Sequence, residues 1–166
     1  MKPIILGIDP GLSGAIAEWR PATGELVVHD MPTFQLTRGG KSKREIDLYA
    51  LARIVDNLSA ANLAVVELVG SMPGQGASST FAFGKAAGIA LMACAANFIP
   101  IEQVAPRTWK RAMLVADGKD GSRARASALL PKHAHLWQRV KDDGRAEAAL
   151  MALHAERLFR QREVAA

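Results

Sequence analysis

Two short apolar runs, far apart in the chain, each end on a carboxylate. Ile4-Ile5-Leu6-Gly7-Ile8 closes on Asp9, and Leu63-Ala64-Val65-Val66 closes on Glu67. Runs this short and this apolar read as strands buried within a sheet. Ser13 to Trp19 and Glu25 to Asp30 read as two more strands. The cluster Arg20-Pro21-Ala22-Thr23-Gly24 between them makes a turn, so these two form an antiparallel hairpin. Thr33 to Lys43, polar and cationic with Gly39-Gly40 inside it, reads as a loop.

Asp47 is placed to cap a helix over Leu48 to Leu58, whose apolar stripe is Leu48, Leu51, Val55 and Leu58. After the Glu67 strand comes a Gly/Ser loop from Gly70 to Ser79. Ser78 or Ser79 then caps a helix from about Phe81 to Asn97. Ile99 to Val104 is the fifth strand. Pro106 opens a short helix through Val115, Ser122 to Leu130 forms another, and Asp142 or Asp143 caps a last helix reaching about Arg162. The order βββαβαβα predicts one α/β domain over residues 1–166, with a mixed five-stranded sheet flanked by helices. The hairpin strands extend strand one antiparallel, while strands four and five return through helical crossovers and lie parallel to it. Ligand sites in such sheets gather at the carboxyl ends of the parallel strands, where Asp9 and Glu67 stand.

If those strands are neighbours, about 4.8 Å apart, their carboxylates can share a cation. Asp143 and Glu147 add two acids on one face of the last helix, a face continued by Leu150 and so turned toward the sheet. Asp142 either joins them or caps the helix. Carboxylates converging without a fixed counter-cation repel one another, and a divalent ion relieves that. Oxygen-only ligands favour Mg²⁺, with Mn²⁺ as a substitute, over zinc. Two such ions, about 3.5–4 Å apart, suit hydrolysis of a phosphodiester.

Charge supports an anionic partner. The chain of 166 residues carries 21 Lys+Arg against 16 Asp+Glu, a net charge of +5. Arg38, Lys41, Lys43 and Arg44 sit in one segment. Arg107, Lys110 and Arg111, then Lys119, Arg123 and Arg125, then Lys132, Arg139, Lys141 and Arg145 fall in the half that closes the acidic site. Flanking cations of this kind hold nucleic-acid phosphates that the acids would otherwise repel. His133 and His135 alternate but lack a third ligand, and Trp109 and Trp137 read as core or as stacking platforms. The single cysteine, Cys94, excludes an internal disulfide framework and points to a reducing cytosol, bacterial or host. No targeting segment is visible. The most apolar stretch, Ala86 to Ile101, falls short of a membrane span, so no membrane partner is expected.

The ordered set of motifs resembles the RuvC-type Holliday junction resolvases of the ribonuclease H-like superfamily, in a phage or prophage-like branch. The matching segments are Gly7-Ile8-Asp9-Pro10-Gly11 with Ser13-Gly14, Val65-Val66-Glu67, and Asp142-Asp143-Gly144-Arg145-Ala146-Glu147-Ala148-Ala149-Leu150. Phe83-Gly84-Lys85-Ala86-Ala87-Gly88 and Pro106-Arg107-Thr108-Trp109-Lys110 also fit. The resemblance implies a homodimeric, Mg²⁺-dependent endonuclease that nicks opposite strands of a four-way DNA junction. Asp9, Glu67, Asp143 and Glu147 match its metal-binding acids, although Glu147 stands where better-known bacterial members carry Asp. Lys110 matches a phosphate-contacting lysine, and Lys119 or Arg123 a second. Met72 or Phe81 would wedge against unstacked bases at the junction centre, and Gly84 and Gly88 would lie near the dimer axis.

Two other readings compete. The fold could serve a branched-DNA nuclease of different substrate preference, or a non-catalytic DNA-binding member. A nucleotide phosphotransferase of the actin and sugar-kinase type also opens with an Asp-Gly hairpin, but it needs a second lobe for which 166 residues leave no room.

Overall fold

The computed structural model describes residues 2–70 and 76–165, so Met72 lies outside the described residues. Strands β1 (Ile5–Asp9), β2 (Ala15–Arg20) and β3 (Glu25–Asp30) form the expected antiparallel meander. Helix α1 (Leu48–Asn57) leads to β6 (Leu63–Glu67), and α2 (Ala77–Ala96) to β7 (Ile101–Val104). The sheet order is β3-β2-β1-β6-β7, with β6 parallel to β1 and β7 parallel to β6. Ile8 faces Val66 across the first parallel pair. The next residues along, Asp9 and Glu67, therefore leave the sheet side by side.

Alternation along the strands supplies two cores. Leu6, Ile8, Ala64 and Val66 point to one face, where Leu51 and Val55 of α1 and Ala86, Ala90 and Cys94 of α2 cover them. Ile5, Ala17 and Val65 point to the other, under α5 (Asp143–Ala165). That helix brings Ala148, Ala149 and Ala152 to the sheet, all fully buried. Small residues let it lie directly on β1. A Cβ on Gly7 would sit 2.1 Å from the Ala148 carbonyl oxygen and 2.3 Å from the Ala152 nitrogen, so no larger residue fits there without lifting α5. This close docking fixes the start of α5 over the carboxyl ends of β1 and β6.

Asp47 caps α1 as expected, accepting from the Ala50 N–H at 2.9 Å. Three expectations need correction. The segment read as a polar loop is a second hairpin, β4 (Thr33–Arg38) and β5 (Lys41–Ile46), separate from the main sheet. Arg38 pairs with Lys41 across a two-residue turn in which Gly39 and Gly40 take φ of 56° and 74°, the left-handed pair that tight hairpins require. Second, α2 begins at Ala77 with Gly76 at its cap position, so Ser78 and Ser79 lie inside the first turn. Third, α2 runs 20 residues and is, by length and composition, apolar enough to cross a membrane. In this fold one of its faces is buried against the sheet.

The remaining elements close the site. α3 (Pro106–Ala112) follows β7, α4 (Gly121–Leu129) packs on α5, and two 3-10 turns, Pro131–Trp137 and Val140–Asp142, lead into α5.

Candidate active site

Asp9 ends β1 in a tight enclosure. Its Oδ1 accepts from the Gly11 N–H at 3.1 Å. A Cβ on Gly14 would fall 2.8 Å from the Asp9 Cγ, and one on Gly144 would fall 2.9 Å from its Oδ2. Two glycines thus let the β1–β2 turn and the first turn of α5 close on one carboxylate. Burial pushes the Asp9 carboxyl up to about 7. The Gly11 N–H and Lys110 oppose that rise, while the charges of Glu147 and Glu67 add to it.

Glu67 ends β6 and is also buried. Its Oε1 accepts from the Trp109 indole N–H at 2.9 Å. Burial raises its pKa above the usual carboxylate range, against the Trp109 hydrogen bond, and the Glu147 charge raises it further. Trp109 itself is fully buried in α3, and the Lys110 ammonium lies 5.2 Å from its ring centroid.

The first turn of α5 supplies two more acids. Burial and the Glu147 charge raise the pKa of Asp143, and its Oδ1 is buried with no hydrogen-bond partner. Glu147, one turn on, accepts from the Ser122 hydroxyl at 2.9 Å and pairs with Lys110 Nζ at 2.6 Å. Burial works to lower the Lys110 pKa, yet Glu147, Glu67 and Asp143 outweigh it and the ammonium is held charged. Its charge acts on all four acids. The fold therefore gathers Asp9, Glu67, Asp143 and Glu147 around one lysine. Among the described residues, no three His, Cys, Asp or Glu side chains close into a ready-made metal-holding group.

Asp142 does not join them. Arg139 grips its carboxylate through Nε at 2.9 Å and Nη2 at 2.8 Å, and the Arg139 N–H adds a third bond. These contacts lower its pKa. The adjacent acids part because the 3-10 turn ends at Asp142, while Asp143 opens α5 and shares a face with Glu147.

The expected DNA-contacting cations divide in the same way. Arg107 and Lys119 are exposed, and Lys110 is half-exposed beside the acids. Arg125 is turned inward, its Nε donating to the Met113 carbonyl at 2.6 Å. Arg123 pairs with Asp120 and donates to the Gln138 carbonyl at 3.2 Å; its charge still reaches Asp143. Phe81 is 72% exposed at the start of α2. Sequence reasoning missed Ser122 as the group that fixes Glu147, and Trp109 as the donor to Glu67. Only the position of Trp109 beside Lys110 offered a signal.

No protein-family model and no curated protein matches the chain. Solved structures do. The RuvC of Thermus thermophilus in complex with a Holliday junction substrate is 16% identical, with 96% of each chain covered and a TM-score of 0.61. A second T. thermophilus RuvC structure is 17% identical over 95% of this chain and 96% of that one, with a TM-score of 0.57. The mixed five-stranded sheet flanked by helices is therefore the RuvC-type, ribonuclease H-like fold.

Proposed function

We propose that this protein is a divalent-metal-dependent endonuclease that resolves four-way DNA junctions. The observation that carries the reading is the gathering of Asp9, Glu67, Asp143 and Glu147, four acids against one lysine, with a buried Asp143 oxygen left without a partner. Buried polar atoms are nearly always paired, so an unpaired carboxylate oxygen amid other acids suits a bound cation. The donors are all oxygen, which suits Mg²⁺ or Mn²⁺. Asp9, Glu67, Asp143 and Glu147 would hold the ions, two per site. When bound, such ions lower the pKa of a water and stabilise charge on a phosphodiester.

The chain's own groups do the rest. Trp109 and Ser122 fix the Glu67 and Glu147 carboxylates by hydrogen bonds, the orienting contacts that metal ligands depend on. Lys110, charged and half-exposed, is available to a phosphate at the mouth of the site. Arg107 and Lys119 offer further positive charge to the backbone, with Arg123 behind them and Arg125 bracing α4. Phe81 is free to stack on an unpaired base. The RuvC structure solved with a Holliday junction substrate supports a branched-DNA substrate.

A homodimer would place two such sites on one junction. The outer face of α2 supports this, because Gly84, Gly88, Met92 and Ala95 lie exposed at helical spacing. The protein would act in the cytoplasm, where its substrate is.

Cleavage of labelled four-way junction, fork, flap and duplex DNA in Mg²⁺ tests the reading. The wild type should nick the junction in paired positions and lose activity in chelator. Asp9→Asn should bind the junction without cutting it. Equal rates on plain duplex, or wild-type cutting by Asp9→Asn, would overturn it.

A further inference from the structure

The Ser13–Gly14 turn that packs on Asp9 also lines a second, polar cavity of about 260 Å³. Three separate elements bring cations to it: Arg44 from β5, Arg139 and Lys141 at the last 3-10 turn, and Arg145 from α5. Two carboxylates, Asp30 and Asp142, lie among them. Both are already taken. Arg145 holds Asp30 through Nε and Nη2 at 2.5 Å each, and Arg139 holds Asp142 through two nitrogens. Arg44 donates to a neutral partner, the Ser13 hydroxyl, at 2.5 Å. Among the described residues, Arg44 has no carboxylate partner and Lys141 has no hydrogen-bond or ion-pair partner. Two positive charges thus face a polar cavity unneutralised, beside two guanidiniums whose orientation their carboxylates fix.

We infer that this cavity is a phosphate subsite, which seats a nucleic-acid backbone phosphate flanking the one cut at the acidic site. The inference rests on the nuclease reading and deepens it. An anion with several oxygens can accept from Arg44 and Lys141 together, and guanidinium forks suit phosphate. The Ser13–Gly14 turn connects the two sites, because it touches the Asp9 carboxylate and walls the cavity at once. A strand engaged at both is fixed in its direction through the active site. The arrangement also gives the β4–β5 hairpin a task, since it carries Arg44 to the cavity. Asp142 serves the same end by orienting Arg139.

The test compares full-length wild type with the double variant Arg44→Ala/Lys141→Ala. Arg53→Ala, on α1 across the sheet, serves as a control. Binding of a labelled four-way junction and of a duplex of equal length is followed against salt in chelator, where nothing is cut. Loss of one phosphate contact should weaken binding of both DNAs about tenfold and reduce the log–log salt slope by about 1. The control should match the wild type. Wild-type affinity and slope in the double variant would overturn the subsite, as would an equal loss in Arg53→Ala, which would mark a general effect of charge. Should the wild type bind junction no better than duplex, the resolvase reading falls instead, and the slopes on duplex still judge the subsite.

Discussion

Two groups of carboxylates meet at the start of α5, and they differ in how their charges are met. On one side, Asp142 and Asp30 are each gripped by an arginine through paired hydrogen bonds, and both carboxyls are held below their usual range. On the other, Glu67 is buried and Asp9 and Asp143 half-buried, all three are raised in pKa, and one lysine serves them. The paired carboxylates are structural, since arginine already supplies what they need. The crowded ones are held together at an electrostatic cost by the docking of α5 on β1. Such a cost is expected where charge is kept for chemistry.

The sharpest way to break this contrast is to neutralise each of the two adjacent acids in turn. Asp143→Asn should reduce junction cleavage by about 10³-fold or more, in line with loss of a group that acts on the reacting centre. Asp142→Asn should keep cleavage within about tenfold of wild type and lower stability by about 1 kcal/mol, the value of a lost hydrogen-bonded partner. Single-turnover rates and denaturant melts of both variants would show this. Reversed outcomes would assign the roles the other way.

A smaller effect probes the supports of the crowded side. Trp109→Phe keeps the buried ring but removes the N–H that holds Glu67. Metal affinity should fall about tenfold, as it does when an orienting contact to a ligand is lost. The Mg²⁺ dependence of cleavage reads this directly, and an unchanged dependence would make the hydrogen bond incidental.

The smallest effect concerns stability. Asp9 has a folded pKa raised to about 7 from an unfolded value of 3.8. An acid raised in this way contributes stability that is complete below the unfolded value and is lost as pH climbs through the folded one. In chelator, the wild type should therefore lose stability between about pH 4 and pH 7. Asp9→Asn keeps an acceptor for the Gly11 N–H but cannot ionise, so it should blunt that loss. A gain near 1 kcal/mol would raise its Tm by about 3 °C at pH 8. A lower Tm than wild type at that pH would remove the claim of crowding.

Much of this was legible in the sequence because it depends on local pattern. Continuous apolar runs marked β1 and β6, and the carboxylates ending them marked the site. The strand order then set the parallel pairing. The β4–β5 hairpin was missed: Phe34 and Leu36 alternate with Thr33, Gln35 and Thr37, but Lys41 to Glu45 carry no apolar residue to mark a partner strand, and their charge reads as a loop. The second signal, Gly39-Gly40, suits a tight hairpin turn but reads with the surrounding polar residues as loop. Spacing placed Asp143 and Glu147 on one face but left Asp142 open, since only Arg139 decides its fate. For the same reason, charge counting set Arg125 among DNA contacts although a backbone carbonyl claims it.

The central claim is that the Asp9 cluster, and not the Asp142 side, is where a divalent ion binds. Calorimetric titration of Mn²⁺ into metal-free wild type, Asp9→Asn and Asp142→Asn at neutral pH tests it most directly. The wild type should show saturable binding, retained in Asp142→Asn and weakened at least about tenfold in Asp9→Asn. Equal binding by wild type and Asp9→Asn, or no binding by the wild type, would contradict it.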